Sequence, residues 1–396
     1  MTRQPGDERR GFETDAIRIQ ADRSPHREHS VPLYLTSSFV FDDSEHGRAL
    51  FAEEADGAIY SRYSNPNVDE FVRKLCVMES CDDGVATATG MAAMFATFAS
   101  FLNAGDHVVA SRAVFGSSHQ ILTRILPRWG IDHTYVDPTD PRDWARAVKP
   151  NTRMLFAETP SNPGLELVDL EQVGLLAAEN KALFAVDNCF ATPYIQTPRA
   201  YGADIVAHSA TKLIDGQGRV LGGAVLGTGK AIAEARFFTR QTGPALSPFN
   251  AWLLSKSLET LGVRLDRHCA NATAVAEFLE RHPKVTWVRY PFLASHPQHD
   301  LARKQMRLGG ALVTFELTGG VAGGTRFLDA LRLFSLTANL GDTRSIATHP
   351  ASTTHSKLTE EERLAVNITP GTVRLSVGIE TLDDILTDLD RALSSV

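Results

Sequence analysis

Short apolar runs, separated by stretches long enough to form a helix, recur along the chain between residues 61 and 250. These runs are His107–Ala110, Met154–Ala157, Leu183–Val186, Ile205–Ala207 and Gly223–Leu226. Near-continuous apolar runs of this length are typical of strands that are buried on both faces. The pattern therefore predicts an α/β fold, with a mostly parallel sheet covered by helices on both sides.

The pattern changes after residue 247. Apolar residues spaced three or four apart within 254–276 predict one long helix, which leads into a second and smaller unit. Alternation in 311–317 and 372–377 predicts antiparallel strands there, and residues 382–393 predict a closing helix. We therefore expect this C-terminal unit to have an α+β architecture.

The first 60 residues are polar and punctuated by prolines. Within them, Val31–Phe41 favours an extended conformation, and arms of this kind usually pack on a neighbouring subunit or domain. The chain is accordingly divided into an N-terminal arm (1–60), a large domain (61–250) and a small C-terminal domain with its linking helix (251–396).

The composition narrows the classes of protein. With 396 residues, 43% of them hydrophobic, the chain can bury a large core without disulfides. Its net charge of −7 offers no basic surface to a nucleic acid or an anionic membrane, so small molecules are the expected partners. The four cysteines are too few for a secreted disulfide framework, and the polar N-terminus lacks a signal peptide, so we expect a cytoplasmic protein. The uncharged run from Gly84 to Gly105 is long enough for a membrane span, but Gly90 and several polar residues interrupt it.

Ligands of an open α/β sheet gather beyond the carboxyl ends of its strands, so the residues that follow each apolar run are candidates for chemistry. Gly90 and Met91 open an apolar helix whose N-terminus suits a phosphate. Phe115 could stack on a planar ligand, although taken alone it is also a reasonable core residue. Asn162 presents an amide from a loop that two prolines stiffen.

Two further strand ends carry charged side chains. Asp187 ends a fully apolar run, and a buried carboxylate is costly unless a cation or a pyridinium nitrogen faces it. Lys212 follows another buried run and is preceded by the hydroxyls of Ser209 and Thr211. Lysine is rarely buried, so its position here calls for a function.

Together these strand ends supply what pyridoxal 5'-phosphate requires. A lysine forms the Schiff base, an aspartate faces the ring nitrogen, an aromatic ring covers the cofactor, and amides and hydroxyls hold the phosphate. A nicotinamide site is disfavoured because the glycines from Gly216 to Gly222 do not open a helix after a first strand. A zinc site is disfavoured because His296 and His299 are expected to be surface histidines, and His349 and His355 to belong to a loop near the substrate. We therefore expect no metal.

From about residue 12 to the C-terminus, the chain resembles the Cys/Met-metabolism, or cystathionine γ-synthase, family of fold-type I pyridoxal-phosphate enzymes, which have the aspartate aminotransferase-like fold. The matching motifs are Tyr60–Pro66, Thr89–Ala93, Glu158–Pro163, Val186–Asn188, His208–Lys212 and His349–His355. The resemblance implies a homotetramer in which pairs of subunits share their active sites.

The resemblance also implies a role for each matching residue. Lys212 would form the Schiff base, and Asp187 would pair with the ring nitrogen. Tyr60 and Arg62 would reach the phosphate of a neighbouring subunit, and Tyr60 is placed with Lys212 among the catalytic residues. The remaining predicted contacts to the cofactor are Gly90, Met91, Phe115, Asn162, Ser209 and Thr211. Asn339 and Arg374 would bind the substrate, with the arginine on its α-carboxylate.

Two segments favour one branch of this family. Thr211–Arg219 and Ala338–Asp342 resemble the O-succinylhomoserine sulfhydrylase branch, which joins O-succinylhomoserine and sulfide to give homocysteine and succinate in methionine biosynthesis. Phe115 and Leu213 depart from the tyrosines that are common at these positions in the family. An O-acetylhomoserine sulfhydrylase, a cystathionine γ-synthase and a γ-lyase stay open as alternatives, as does a non-catalytic interaction protein on the same fold.

Overall fold

A seven-stranded sheet forms the centre of the larger part of the molecule. The computed structural model describes residues 10–353 and 368–396, together with residues 359, 361 and 363. The strands are β1 (Asp83–Thr87), β2 (His107–Ser111), β3 (Asp132–Val136), β4 (Thr152–Glu158), β5 (Leu183–Asp187), β6 (Ile205–Ser209) and β7 (Gly223–Gly227). Their order is β1-β7-β6-β5-β4-β2-β3, and only β7 runs antiparallel to its neighbours. The predicted α/β class and mostly parallel sheet are confirmed.

Helices cover both faces of this sheet, which explains why its strands are apolar throughout. In β4, Leu155 packs on the face that holds Val173, whereas Phe156 packs on the opposite face, where its ring lies 4.7 Å from that of Phe98. The helices of this part are α1 (Phe12–Arg18), α2 (Ser44–Phe51), α3 (Pro66–Glu79), α4 (Gly90–Ala99), α5 (Gly116–Gln120), α6 (Pro141–Ala147), α7 (Leu170–Glu179), α8 (Thr192–Ile195) and α9 (Gly229–Thr242).

A second sheet of five strands lies in the C-terminal part. Its strands are β8 (Val285–Arg289), β9 (Leu312–Leu317), β10 (Ser335–Leu336), β11 (Ile346–Thr348) and β12 (Thr372–Ser376), in the order β10-β11-β12-β9-β8. The antiparallel strands predicted in 311–317 and 372–377 are confirmed as β9 and β12, and the structure shows that these two pair with each other. The helices here are α10 (Pro248–Leu258), α11 (Leu261–Glu280), α12 (His299–Gln305), α13 (Gly320–Ala330) and α14 (Leu382–Leu393). The last of these is the predicted closing helix, whereas the boundaries at residues 60 and 250 stay predictions.

The prediction of one long helix after residue 247 was wrong, because the segment forms two helices that meet near Thr260. The carbonyl of Ser257 accepts a hydrogen bond from the backbone N–H of Thr260 (3.2 Å) and another from the guanidinium of Arg264 (3.0 Å). Where the first helix ends, the Ser257 carbonyl thus accepts a hydrogen bond from a tighter turn and another from a side chain.

The N-terminal arm is only partly extended. Val31–Phe41 contains no helix, as predicted, and Ser38 forms an isolated bridge with Tyr60. Helix α1, however, packs on its own chain, where the Phe12 ring lies 5.0 Å from that of Tyr194. Among the described residues, no helix combines the length and the apolar character that crossing a membrane requires.

Candidate active site

The carboxyl ends of three neighbouring strands place polar side chains on one face of the large sheet. Alternate residues of a strand point to the same face of the sheet. Glu158, Asp187 and Ser209 therefore belong to the face on which helix α4 packs, at the ends of β4, β5 and β6. The register agrees, because Glu158 pairs with Asp187 and Asp187 pairs with Ala207. The sheet thus ends in a row of polar groups beside the N-terminus of α4.

Lys212 lies in the turn that follows β6. Its Nζ donates a hydrogen bond to Oδ1 of Asn339, at 2.5 Å, across the gap between the two parts of the chain. Burial lowers the pKa of Lys212, because the charged ammonium loses water. A lysine with a lowered pKa is more often neutral, which is the form that attacks a carbonyl.

Asp187 is buried at the end of β5. Its Oδ1 accepts a hydrogen bond from the backbone N–H of Cys189 at 3.0 Å. Burial raises the pKa of Asp187 to about 6, whereas His208 on the next strand acts in the opposite direction. The ionised form of a buried carboxylate is stabilised when a cation, such as a protonated ring nitrogen, lies against it.

The N-terminus of α4 approaches β6 closely. A Cβ atom at Gly90 would lie 2.4 Å from Cβ of Ser209, so only glycine fits there. The first turn of a helix leaves backbone N–H groups without intrahelical acceptors, and those of Gly90 and Met91 belong to this turn. With the hydroxyl of Ser209, they form a cradle for an anion. The hydroxyl of Thr211 is instead engaged by Gly222, whose backbone N–H donates to it at 3.1 Å.

Arg374 lies on β12 and is buried. Its Nη1 donates to Oδ1 of Asn162 at 2.9 Å, and its Nη2 donates to the backbone oxygen of Asn339 (3.1 Å) and to Oγ1 of Thr348 (3.2 Å). Its Nε is buried without a partner among the described residues, and burial lowers the pKa of Arg374 to about 10. A buried guanidinium with an unsatisfied N–H is suited to a carboxylate ligand.

Phe115 is not a core residue, because 44% of its surface is exposed. It precedes α5, and its backbone N–H donates to Oε2 of Glu158 at 2.6 Å. The structure therefore connects Phe115 to the same strand end that carries the polar row. An exposed ring at this position can cover a planar ligand.

Tyr60 and Arg62 are the predicted site residues that the structure does not bring to Lys212. The guanidinium of Arg62 lies 4.6 Å from the centre of the Tyr63 ring and 5.6 Å from that of Tyr60, and it donates to the backbone oxygen of Arg240. Within the described part of the chain, neither residue has a hydrogen bond or ring contact with the Lys212 site. Tyr60 is 42% exposed.

The expectation of surface histidines at positions 296 and 299 was wrong for the first of them. His296 is 4% exposed, and its Nε2 lies 3.2 Å from the backbone oxygen of Leu165. His349 is also buried, with its ring nitrogens near Ser352 and Pro370, whereas His355 lies outside the described residues. Among the described residues, no group of three or more histidine, cysteine, aspartate or glutamate side chains is arranged to hold a metal ion.

The residues present fit pyridoxal 5'-phosphate. Gly90 and Ser209 form a cradle that a side chain would fill, Asp187 is a buried carboxylate without a cation hydrogen-bonded to it among the described residues, and Lys212 is a buried amine with a lowered pKa. The chain matches the family described as Cys/Met metabolism PLP-dependent enzyme over residues 13–394. The chain belongs to this family.

Relatives in the Cys/Met metabolism family share almost the full length of the chain. An O-succinylhomoserine sulfhydrylase of Pseudomonas aeruginosa is 46% identical over 97% of this chain and 96% of that protein. An L-methionine gamma-lyase of Fusobacterium nucleatum is 43% identical over 98% of both. A crystal structure from Campylobacter jejuni, assigned as an O-acetylhomoserine (thiol)-lyase, has a TM-score of 0.93 and 34% identity, covers 97% of this chain and 100% of that one, and contains N'-pyridoxyl-lysine-5'-monophosphate. Pyridoxal 5'-phosphate is thus the cofactor of this family, and the fold is that of its fold-type I members.

Sequence reasoning missed two residues of the site. Glu158 was placed in a loop motif from which only the amide of Asn162 was used, although it ends an apolar run just as Asp187 does. Thr348 was missed because its contact with Arg374 depends on the register of β11 with β12, which the sequence does not reveal.

Proposed function

We propose that the chain catalyses a γ-replacement, in which O-succinylhomoserine and hydrogen sulfide give homocysteine and succinate. The carrying observation is the joint placement of Lys212, Asn339 and Arg374, which suits an α-amino acid bound beside the amine. The choice of substrate is supported by the relative from Pseudomonas aeruginosa and by the two branch-specific segments.

These two segments pack against each other next to Lys212. Directly after the second segment, the backbone N–H of Thr343 donates to the oxygen of Gly216 at 2.8 Å, and Nη2 of Arg344 donates to the oxygen of Gln217 at 2.8 Å. Gly341 fits closely, since a Cβ atom there would lie 2.7 Å from the backbone nitrogen of Leu213. The loop that carries Asn339 is therefore held in place by the residues that follow the lysine, which keeps Asn339 beside the amine.

The chain's own residues would act as follows. The bound cofactor supplies an electron sink for the carbon atoms of the amino acid. Arg374 binds the α-carboxylate and holds the Cα–H bond towards Lys212. The amine of Lys212 takes the proton from Cα and then assists removal of one from Cβ, after which succinate leaves from Cγ. Hydrosulfide adds at Cγ, and the protons return to Cβ and Cα.

Elimination from methionine is a second candidate. The L-methionine gamma-lyase of Fusobacterium nucleatum is only slightly less similar to this chain than the sulfhydrylase is. A lyase would use the same residues up to loss of the group on Cγ and would then lack the addition of sulfide. The two candidates therefore differ in the second half of the reaction and in the leaving group.

A comparison of substrates tests the proposed reaction. With sulfide present, O-succinylhomoserine is expected to have a kcat/KM at least about tenfold above that of O-acetylhomoserine, because one additional carboxylate contact supplies about 1.4 kcal/mol. Homocysteine formation from both esters, and 2-oxobutyrate formation from methionine and cystathionine, would be measured on one preparation. A higher kcat/KM for O-acetylhomoserine, or faster cleavage of methionine, would contradict the proposal.

We also propose a homotetramer in which Tyr60 and Arg62 complete the active site of a neighbouring subunit. Support comes from the exposure of both side chains, and from the lack of a hydrogen bond or ring contact between them and the Lys212 site among the described residues of their own chain. Mixing inactive Arg62→Ala and Lys212→Ala subunits is expected to restore partial activity, because some hybrid sites then contain neither substitution. The control mixture combines wild-type subunits with Arg281→Ala subunits, whose substitution lies at an exposed side chain. Hybrids that are verified by mass and stay inactive would count against shared sites.

A cytoplasmic location is the last part of this proposal. Cys76, Cys81, Cys189 and Cys269 are free thiols, and three of them are buried. Unpaired cysteines of this kind are usual in the reducing cytosol. Small molecules, namely the acylated homoserine and sulfide, are the partners that we propose.

A further inference from the structure

Two carboxyl groups lie side by side at the ends of β4 and β5. Glu158 and Asp187 are Cα partners in the parallel ladder, and 1% and 7% of their surfaces are exposed. The general requirement for a carboxylate at the ring nitrogen accounts for Asp187 alone. The second carboxyl group therefore needs its own explanation.

The two oxygens of Glu158 have different surroundings. Oε2 accepts a hydrogen bond from the backbone N–H of Phe115 at 2.6 Å, and the nearby backbone of Asn162 acts to lower the pKa of the carboxyl group. Oε1 is buried and has no partner among the described residues. Glu158 thus connects three predicted cofactor contacts, because it binds Phe115, lies near Asn162 and pairs in the sheet with Asp187.

An ionised Glu158 would be costly in this place. A buried carboxylate oxygen without a donor loses its hydration, and two negative charges on neighbouring strands repel each other. Burial, and after it the carboxyl group of Asp187, raise the pKa of Glu158 well above its ordinary value. The backbone N–H of Cys189 and the ring of His208 both lower the pKa of Asp187, which favours the negative charge on that residue of the pair.

We propose that Glu158 is a positioning residue held as a neutral carboxylic acid, which fixes the Phe115 backbone and leaves the negative charge of the pair to Asp187. Its protonated oxygen is Oε1, and its Oε2 remains the acceptor for the Phe115 N–H. Glu158 would thereby hold the backbone that carries the Phe115 ring, and the ring could cover the cofactor when it is bound. The proposal rests on the cofactor of the family and is independent of which acylated amino acid reacts.

The first test uses the apoenzyme, so it needs no activity. Infrared difference spectra between wild type and Glu158→Gln are expected to show one buried protonated carboxylic acid that is present only in the wild type. Glu70→Gln is the matched control, because Glu70 is a buried carboxylate that is ion-paired with Lys74. Its difference spectrum should show loss of a carboxylate and no loss of an acid. Absence of the acid band from the wild type would overturn the proposal.

The second test measures binding of pyridoxal 5'-phosphate to the apoenzyme by visible absorbance. Glutamine is uncharged, has the shape of the protonated acid and keeps an acceptor for Phe115, so Glu158→Gln should bind within roughly threefold of the wild type. Glu158→Met has similar volume but no carbonyl acceptor, so its Kd should rise about tenfold. Equal weakening by both substitutions would mean that the charge is needed, which contradicts the proposal. Neither outcome depends on the substrate comparison described above.

Discussion

Replacing Lys212 by alanine is expected to lower kcat at least about a thousandfold, while the protein stays folded. The amine both bonds to the cofactor and moves protons at Cα, and no second lysine among the described residues shares the hydrogen bond to Asn339. Its side chain is held by one hydrogen bond to a loop, so its removal leaves the sheet intact. Turnover of O-succinylhomoserine with sulfide and the far-ultraviolet circular dichroism spectrum would be measured together.

The matched control for this substitution is Lys304→Ala. Lys304 pairs with Glu171 on the surface, with 48% of its side chain exposed, and should keep wild-type turnover. Retention of more than a tenth of the wild-type rate by Lys212→Ala would contradict the assigned role. Loss of the circular dichroism signal would instead show that the lysine is needed for folding, which also opposes the account.

Replacing Arg374 by alanine is expected to lower kcat/KM at least about a hundredfold, because a buried charge pair with the substrate carboxylate contributes about 3 kcal/mol or more. Arg374→Lys keeps the charge but loses the planar fork that contacts Asn162 and Thr348, so it should recover only part of the loss. The largest change should appear in KM for the amino acid, with KM for sulfide nearly unchanged. Steady-state kinetics with each substrate varied in turn would measure both.

Arg281→Ala is again a suitable control, because Arg281 is exposed and contacts Glu277 of its own helix, away from Arg374. It should leave both KM values unchanged. An unchanged KM for the amino acid in Arg374→Ala, with the cofactor still bound, would show that the carboxylate is held elsewhere. Full recovery by Arg374→Lys would exclude a bidentate contact.

The central strands were predictable because they are buried on both faces. Leu155 and Phe156 point to opposite helical layers, so neither position of β4 can be polar. Strand β3 was not predicted, because it lies at the edge of the sheet and carries a polar sequence, Asp132–Val136. Edge strands need no continuous apolar run, so the signal that identified the others is missing there.

The site was predictable where each residue follows a buried strand, and not where it depends on long-range packing. Asp187 directly follows an apolar run and Lys212 lies five positions after the end of another, Ile205–Ala207, and these positions identified them as candidates. The contact of Lys212 with Asn339 joins residues 127 positions apart, and its geometry depends on how two loops pack. Burial of His296 likewise depends on a carbonyl at Leu165, which no local pattern near the histidine reveals.

The pairing of Glu158 with Asp187 could not be predicted from the sequence for a different reason. The sequence contains the signal, an apolar strand that ends in a carboxylate, but it does not tell that Asp187 is the register partner. Only the pairing of β4 with β5 shows that two acidic groups meet. The proposal that only one of the two carboxyl groups is ionised therefore depends on the structure.

The proposed reaction depends most on a covalent bond between pyridoxal 5'-phosphate and Nζ of Lys212. Borohydride reduction of the purified enzyme, followed by proteolysis and mass spectrometry of the peptides, tests this bond directly. A phosphopyridoxyl group is expected on the peptide that contains Lys212 and on no other peptide. An unmodified Lys212 peptide from a preparation that is active and yellow before reduction would contradict it.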